Sequence, residues 1–338
     1  MRILIVTPAP PRSRYGNRVT ALRWARILRG LGHRVTLVQT YQGQPCGLLI
    51  ALHAVRSHAA VRTFRLLHPT RPVVVALTGT DIYRDLPKSK KGVETLEAAS
   101  RLVALNSKAQ ERLPPRLRGK VRVIFQSAQA PSGTPPGPPR GFDVCVVGHL
   151  RREKDPFRTA MAVRGLPAHS MIRVLHSGKA MDARMEALAT GEERRNPRYR
   201  WLGELPPWRV RRLYRTCRLM VLSSRMEGGA NVISEAAVAG LPVLAARIPG
   251  SVGLLGEKYP GYFPVGDTRA LKKLLLKVER EPRFLAQLRS WMEALAPRFR
   301  AENEEACWAA LLEELGQHQT EAKRPASGRS ARARRPGG

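Results

Sequence analysis

Cysteines, long apolar runs and acidic residues are all scarce in this 338-residue sequence. The four cysteines are scattered and form no C-x-x-C pair, which argues against a zinc site and a disulfide framework. They are Cys46, Cys145, Cys217 and Cys307. No segment reaches the roughly 20 apolar residues of a transmembrane helix. The apolar run at residues 3–6 is too short for a signal peptide. We therefore expect a cytoplasmic protein without stable membrane insertion.

The shortage of acidic residues leaves a large positive charge. The chain has 59 Lys and Arg against 26 Asp and Glu, a net charge of +33. Such a surplus attracts polyanions, so nucleic acid and anionic membranes are possible partners. However, the basic residues are spread along the chain, without a nucleic-acid-binding motif or an aromatic platform. We predict no specific nucleic-acid partner and interpret the charge as a surface bias that attracts phosphate-bearing substrates. The basic tail at 317–338 is predicted to be disordered.

Short apolar runs alternate with helical patterns in two halves of the chain, as in parallel-sheet α/β domains. The first half has predicted strands at 2–7, 35–38, 48–52, 73–77, 102–105 and 121–125, with helices at about 17–31 and 54–67. The second half has predicted strands at 144–147, 172–175, 199–202, 219–222 and 243–245. A Pro- and Gly-rich linker at 131–141 separates them. The sequence predicts two α/β domains, at 1–130 and 142–297.

Residues 227–242 follow a predicted strand and combine a glycine turn with a helix start. Gly228 and Gly229 allow a sharp turn and the close approach of a ligand, and Asn231 can cap the helix. The free amides here, including those of Asn231 and Val232, form an anion site. Gly240, expected at positive φ, ends the helix.

Two glutamates frame this helix start. Glu227 precedes the helix, and Glu235 lies about one turn inside it. Amides and carboxylates so placed suit a nucleotide sugar, with the amides on the diphosphate, Glu235 on the ribose and Glu227 on the sugar hydroxyls. The alternative interpretation is a salt-bridged pair on a solvent-facing helix.

The loop after the first strand is basic. Arg12, Gly16, Asn17 and Arg18 lie where parallel sheets bind ligands, with the last two at a helix start. We interpret them as an oxyanion site for an acceptor or a donor phosphate. The alternative for Arg12 and Arg14 is that they are solvated surface arginines.

A second candidate loop follows the fourth strand. Thr78, Gly79, Thr80 and Asp81 place hydroxyls and an acid at a strand's carboxyl end, where catalytic residues tend to lie. The alternative is a turn in which Asp81 caps a helix, and the two roles are compatible. His53 ends the third strand.

The spacing Glu227-x7-Glu235, with Ser223-Ser224 before it and Gly240 and Pro242 after it, resembles the E-x7-E motif of retaining GT-B glycosyltransferases of the family-4 type. The resemblance implies a GT-B fold, with two Rossmann-like domains that face a central cleft. It also implies that a final helix, within 298–316, packs back on the first domain.

Gly148-His149-Leu150 followed by Lys154 resembles the family's Gly-Arg-Leu and its downstream lysine. The resemblance assigns Lys154 to the donor diphosphate and Gly148 to the donor site. Because His149 replaces the arginine, Arg151 or the arginine after it is expected to supply the charge.

Three first-half segments resemble one branch, the selenosugar synthases of selenoneine biosynthesis. They span residues 16–25, 50–57 and 78–85. This resemblance implies a UDP-N-acetylglucosamine or UDP-glucose donor, selenophosphate as acceptor and a C–Se bond at the anomeric carbon. Its product would pass to a downstream enzyme of that pathway. Thr78 stands where many family members carry a histidine, and Glu227, Lys154 and Asp81 are the predicted catalytic residues.

No D-x-D-like signature occurs in a suitable loop, so we expect neither a metal nor another cofactor. Two alternatives stay open. One is a glycosyltransferase for a lipid or cell-envelope acceptor, which an amphipathic membrane-facing helix in the first half would favour. The other is a polyanion binder on a degenerate scaffold, against which the presence of Glu227, Glu235 and Lys154 argues.

Overall fold

The computed structural model describes residues 1–13, 15–131 and 141–322. Arg14, nearly all of the predicted linker and residues 323–338 of the predicted tail lie outside this part of the chain. In the described part, two six-stranded parallel sheets are each flanked by helices. The predicted fold class, two Rossmann-like α/β domains, is confirmed.

The first sheet has the strand order β2-β1-β3-β4-β5-β6. Its strands are β1 (Arg2–Val6), β2 (Arg34–Val38), β3 (Leu48–Leu52), β4 (Val73–Leu77), β5 (Arg101–Ala104) and β6 (Val121–Val123). Its helices are α1 (Gly16–Gly30), α2 (His58–Leu67), α3 (Lys90–Ala98) and α4 (Pro115–Arg118). All six strands match predicted ones. The second helix begins at His58, four residues later than predicted, because residues 54–57 form a turn.

The second sheet has the order β12-β11-β10-β7-β8-β9. Its strands are β7 (Phe142–Val147), β8 (Ile172–Ser177), β9 (Tyr199–Trp201), β10 (Leu219–Leu222), β11 (Val243–Ala246) and β12 (Tyr262–Phe263). Its helices are α5 (Arg158–Arg164), α6 (Ala183–Arg195), α7 (Pro207–Thr216), α8 (Asn231–Val238), α9 (Pro249–Leu255), α10 (Thr268–Arg280) and α11 (Pro282–Leu295). The short edge strand β12 was not predicted.

Strands β3, β4 and β10 are buried along their whole length. Parallel strands covered on both faces read as continuous apolar runs, which is why the sequence located them well. In the first sheet, β1 pairs with β2 on one side and β3 on the other. This is the point at which the strand order reverses, so ligand-binding loops are expected at the carboxyl ends of these strands.

The final helix, α12 (Ala301–Ala322), packs on the first domain. Trp308 meets Trp24 edge to face, with ring centroids 4.8 Å apart. The buried Glu304 accepts a hydrogen bond from Trp24 Nε1 at 2.8 Å and from the backbone N–H of Ser127 at 2.7 Å. The helix extends to Ala322, so the prediction of disorder was wrong for residues 317–322.

Candidate active site

Glu227 and Lys154 form an ion pair in the cleft between the domains. Lys154 Nζ donates a hydrogen bond to Glu227 Oε1, and Ser224 Oγ donates to the same oxygen at 2.6 Å. The two charged side chains are only 10% and 19% exposed. Gly148 lies beneath the lysine, since a Cβ there would be 3.8 Å from Lys154 Cδ. A partly desolvated cation is thus held beside a carboxylate at the carboxyl end of the second sheet.

Glu235 lies in α8, and its Oε2 accepts a hydrogen bond from Tyr214 Oη at 2.6 Å. Burial raises the pKa of Glu235, while the Tyr214 hydrogen bond and the charges of Arg23 and Arg211 oppose that rise. Glu235 is therefore a partly buried, hydrogen-bonded carboxylate, and a solvent-facing pair with Glu227 is not what the structure shows.

Asn231 does not cap α8, so that prediction was wrong. It is the first helical residue, and Ala230 at the N-cap position makes no side-chain capping bond. Asn231 Oδ1 instead accepts hydrogen bonds from Arg23 of α1, at 3.2 Å from Nη1 and 3.3 Å from Nη2. Arg23 also pairs with Glu304, and it therefore ties the start of α8 to the first domain and to α12. Val232 follows Asn231 in the first turn and is partly buried.

The glycine turn is packed against the first domain. A Cβ on Gly228 would lie 2.5 Å from the Gly79 nitrogen, and one on Gly79 would lie 2.5 Å from the Gly228 nitrogen. A Cβ on Gly229 would meet Leu105 Cβ at 2.6 Å. Asn106 Nδ2 donates to the Gly228 carbonyl oxygen at 2.5 Å. The close approach that these glycines permit is between the two domains, and it joins the loops predicted for donor and acceptor.

Asp81 organises the loop after β4. Its carboxylate is fully buried and accepts hydrogen bonds from four backbone N–H groups. The donors are those of Ala54, Thr78, Gly79 and Ile82, at 2.7–3.2 Å. Because both carboxylate oxygens are occupied, we revise the predicted catalytic role of Asp81 to a positioning role.

His53 lies beneath Thr80. The His53 backbone has a φ of 75°, and Nε2 lies 3.3 Å from Thr80 Oγ1 and 3.4 Å from Asp85 Oδ2. Burial is the main cause that lowers the pKa of His53. The ring is therefore mainly neutral at pH 7, and it orients the Thr80 hydroxyl.

The predicted oxyanion loop after β1 leads into α1, which begins at Gly16. Arg12 is exposed, with a φ of 63°, whereas Asn17 and Arg18 are partly buried. Arg18 Nε and Thr78 Oγ1 are buried without a hydrogen-bond partner among the described residues. Buried polar atoms without partners are rare and require an explanation, and a ligand is one. Both belong to residues that the sequence assigned to the acceptor.

Neither Arg151 nor Arg152, the two arginines expected to compensate for the family's arginine, forms part of the Glu227–Lys154 pair. Arg151 is exposed at the start of the turn that ends at Lys154. His149 Nδ1 accepts a hydrogen bond from the backbone N–H of Lys179 at 3.2 Å. The compensating role of Arg151 stays a prediction.

Comparison with known proteins agrees with this architecture. Residues 136–293 match the family model described as "Glycosyl transferases group 1". The match covers the second domain. Sucrose-phosphate synthase from Thermosynechococcus elongatus is 14% identical and has a TM-score of 0.76, over 94% of this chain and 99% of that one. HepE from Anabaena, solved in complex with UDP-glucose, is 18% identical and has a TM-score of 0.75, over 93% and 100%.

A glycosyltransferase from Rickettsia africae is 13% identical, with a TM-score of 0.70 over 94% of this chain and 98% of that one. Identities this low show the fold alone. The fold is that of GT-B glycosyltransferases, and the family match lies in the second domain.

The sequence did not predict one feature of the cleft between the domains. A cavity of about 330 Å³ lies between the domains and reaches Glu227. Its walls include Tyr83 and Arg112 from the first domain and Arg225 and Ile248 from the second. Tyr83 lies in a segment that the sequence singled out, but neither arginine stands in a recognisable motif.

Two further observations concern the described residues alone. None of their helices has the length and apolarity needed to cross a membrane. None of their His, Cys, Asp and Glu side chains gather in groups of three or more that could hold a metal ion.

Proposed function

We propose that this glycosyltransferase moves a hexosyl group from UDP-N-acetylglucosamine or UDP-glucose to the selenium of selenophosphate. The observation that carries the proposal is the contact between Gly79 and Gly228. It brings the Thr78–Thr80 segment of the first domain to the loop of Glu227 in the second. Donor and acceptor groups are then within one closed cleft.

The donor site is proposed to lie in the second domain. Glu235 would accept hydrogen bonds from the ribose, and Lys154 and the amides after Gly228 would bind the diphosphate. Glu227 would bind the sugar hydroxyls. When the anomeric C–O bond breaks, the electron pair leaves with UDP, and preorganised cations and amides stabilise that charge. This site is proposed to need no metal. The UDP-glucose complex of Anabaena HepE, which shares the fold, supports the choice of a UDP-sugar.

The acceptor proposal is supported by the two buried polar atoms without partners, Arg18 Nε and Thr78 Oγ1. Each can donate a hydrogen bond to an oxygen of a small anion. Selenophosphate carries a soft, nucleophilic selenium that needs no strong general base. The absence of a histidine at position 78 agrees with such an acceptor. The transfer step forms C–Se, breaks C–O and leaves the P–Se bond intact, and water would cleave that bond afterwards.

The test is to incubate the purified protein with each UDP-sugar and fresh selenophosphate. Mass spectrometry should detect UDP together with a selenium-isotope-patterned sugar or its phosphate conjugate. The product should disappear in Glu235→Ala and Arg18→Ala, and persist in Arg26→Ala, which changes an exposed arginine of the same helix. Release of UDP from a UDP-sugar without a selenium product would contradict the acceptor and leave the donor proposal standing.

A second candidate, transfer to a lipid acceptor, is favoured by the exposed side of α1. Tyr15, Val19 and Leu22 are 42%, 40% and 50% exposed, and their spacing puts them on one helical face. With arginines nearby, this face suits contact with an anionic bilayer. Sedimentation with phosphatidylglycerol vesicles, reduced in Val19→Ser and Leu22→Ser, would support this candidate. Absence of sedimentation at 0.15 M salt would exclude it.

A further inference from the structure

The cavity between the domains is not accounted for by the residues proposed above. Its walls are largely apolar and include Ile248 and Met226. Three polar side chains stand among them, Tyr83 and Arg112 from the first domain and Arg225 from the second, and Glu227 borders it. The volume of about 330 Å³ is ample for a small molecule.

The charges around the cavity favour an anion. Glu227 is already paired with Lys154, so its charge is balanced within the cleft. Arg225 Nη2 lies 3.6 Å from Asp155 Oδ2, a long contact, and its side chain is 54% exposed. No salt bridge to Arg112 occurs among the described residues. Two guanidinium groups that line one cavity can bind an oxyanion through charge-assisted hydrogen bonds.

The geometry points to a phosphate-type oxyanion subsite, with Arg112 and Arg225 as its ligands and Tyr83 beside them. Because the two arginines come from different domains, the subsite is complete only when the domains are together. Its occupant would be selenophosphate before it reaches Arg18 and Thr78, or the phosphate released after transfer, and this assignment rests on the proposed function. The oxyanion would be held next to Glu227, at the border of the donor site.

Calorimetric titration with orthophosphate at 0.15 M potassium chloride tests the subsite without catalysis. Salt at this level screens diffuse attraction to a protein of high positive charge. Arg112→Gln and Arg225→Gln should each weaken phosphate binding at least about tenfold. The matched control is Arg116→Gln, which changes an arginine that is 62% exposed on α4 and pairs with Glu97. Binding in that control should equal binding in the unaltered protein.

The subsite would be overturned if the unaltered protein and all three variants bound phosphate equally. It would also be overturned if the control Arg116→Gln weakened phosphate binding as much as Arg112→Gln and Arg225→Gln do. Steady-state assays then identify the source of the oxyanion. A rise in KM for selenophosphate with an unchanged KM for the UDP-sugar indicates the acceptor, and the reverse indicates the donor diphosphate, which overturns the acceptor assignment. If phosphate binds as expected but no selenium product forms, the proposed function fails and the subsite stands. If selenosugar forms with an unaltered KM in both variants, the subsite fails and the function stands.

Discussion

Glu235 couples a proposed donor contact to pH. Burial raises its pKa, so its carboxylate forms at a higher pH than in the unfolded chain. Only the charged form is a full acceptor for two ribose hydroxyls. We therefore expect KM for the UDP-sugar to fall as pH rises through the raised pKa, and Glu235→Gln to remove this dependence and to raise KM about tenfold at pH 7. Steady-state kinetics between pH 4 and 8 measures both.

Tyr214→Phe supplies the control for that titration. The hydrogen bond from Tyr214 lowers the pKa of Glu235, so the loss of that bond should move the pH profile of KM to higher pH.

The stability of the fold depends on pH in the opposite sense to donor binding. A carboxyl whose pKa is raised on folding stabilises the protein below its unfolded pKa and loses that contribution as pH rises. Glu235→Gln should therefore unfold at a higher temperature at pH 7, and a lower temperature would contradict a buried carboxylate.

Glu192 is a carboxylate whose pKa is lowered by the fold, in contrast to Glu235. It accepts hydrogen bonds from Arg164, Arg195 and Asn196, which lower its pKa to about 2 against the cost of burial. Its stabilisation is present above the unfolded pKa of 4.5 and is lost as pH falls toward 2. We expect Glu192→Gln to lower the free energy of unfolding by about 1–3 kcal/mol at pH 7.

Urea unfolding at pH 7 and pH 3 checks this. The difference in stability between the two proteins should be smaller at pH 3 than at pH 7, with the activity at pH 7 unchanged because Glu192 lies outside the cleft. An equal difference at both pH values would mean that Glu192 contributes through packing and not through charge.

At the scale of elements, the sequence located strands far better than it assigned loop side chains. The apolar runs of β3, β4 and β10 match their observed bounds because both faces are buried. The fold class followed from those runs. Loop roles depend on partners far along the chain, which no local pattern reveals. Asn231 accepts a hydrogen bond from Arg23, 208 residues away, whereas the local sequence predicted only a helix cap.

The loop after β4 is the element whose geometry depends most on one side chain. Asp81 accepts four backbone hydrogen bonds, and an asparagine could replace only part of that set, because its amide nitrogen is a donor. Asp81→Asn should lower the free energy of unfolding by about 1–3 kcal/mol. It should also reduce kcat, since Thr78 and Thr80 are displaced.

Chemical unfolding and kcat measured on the same preparation check this prediction. The control is Asp143→Asn, at a carboxylate that is 21% exposed and pairs with Arg173 in the second domain. A normal stability with a lost kcat in Asp81→Asn would restore the catalytic role that the structure argues against.

At the scale of the whole molecule, the domains are joined near the site by the packing of the glycine turn and by polar side chains, and at a distance by α12. Arg23 of α1 contacts Asn231 and Glu304, so its guanidinium connects the first domain to α8 and to α12. Arg84 pairs across the cleft with Glu153, at 3.0 Å. These contacts are polar, as expected for an interface that opens and closes. Closure is therefore set mainly by how closely the Gly79 and Gly228 backbones can approach.

Gly228→Ala tests that closure. The added Cβ would lie 2.5 Å from a backbone nitrogen of the other domain, so the domains must separate by roughly 1 Å to reach ordinary contact. A displacement of this size at a reacting centre costs about a hundredfold in rate, and we expect that loss in kcat. KM for the UDP-sugar should change little, because the proposed donor contacts lie within the second domain. Gly119→Ala, which adds a methyl group in open space, should have normal kinetics. Small-angle scattering should show a larger radius of gyration for Gly228→Ala alone, whereas an unchanged kcat would mean that catalysis does not need the closed arrangement.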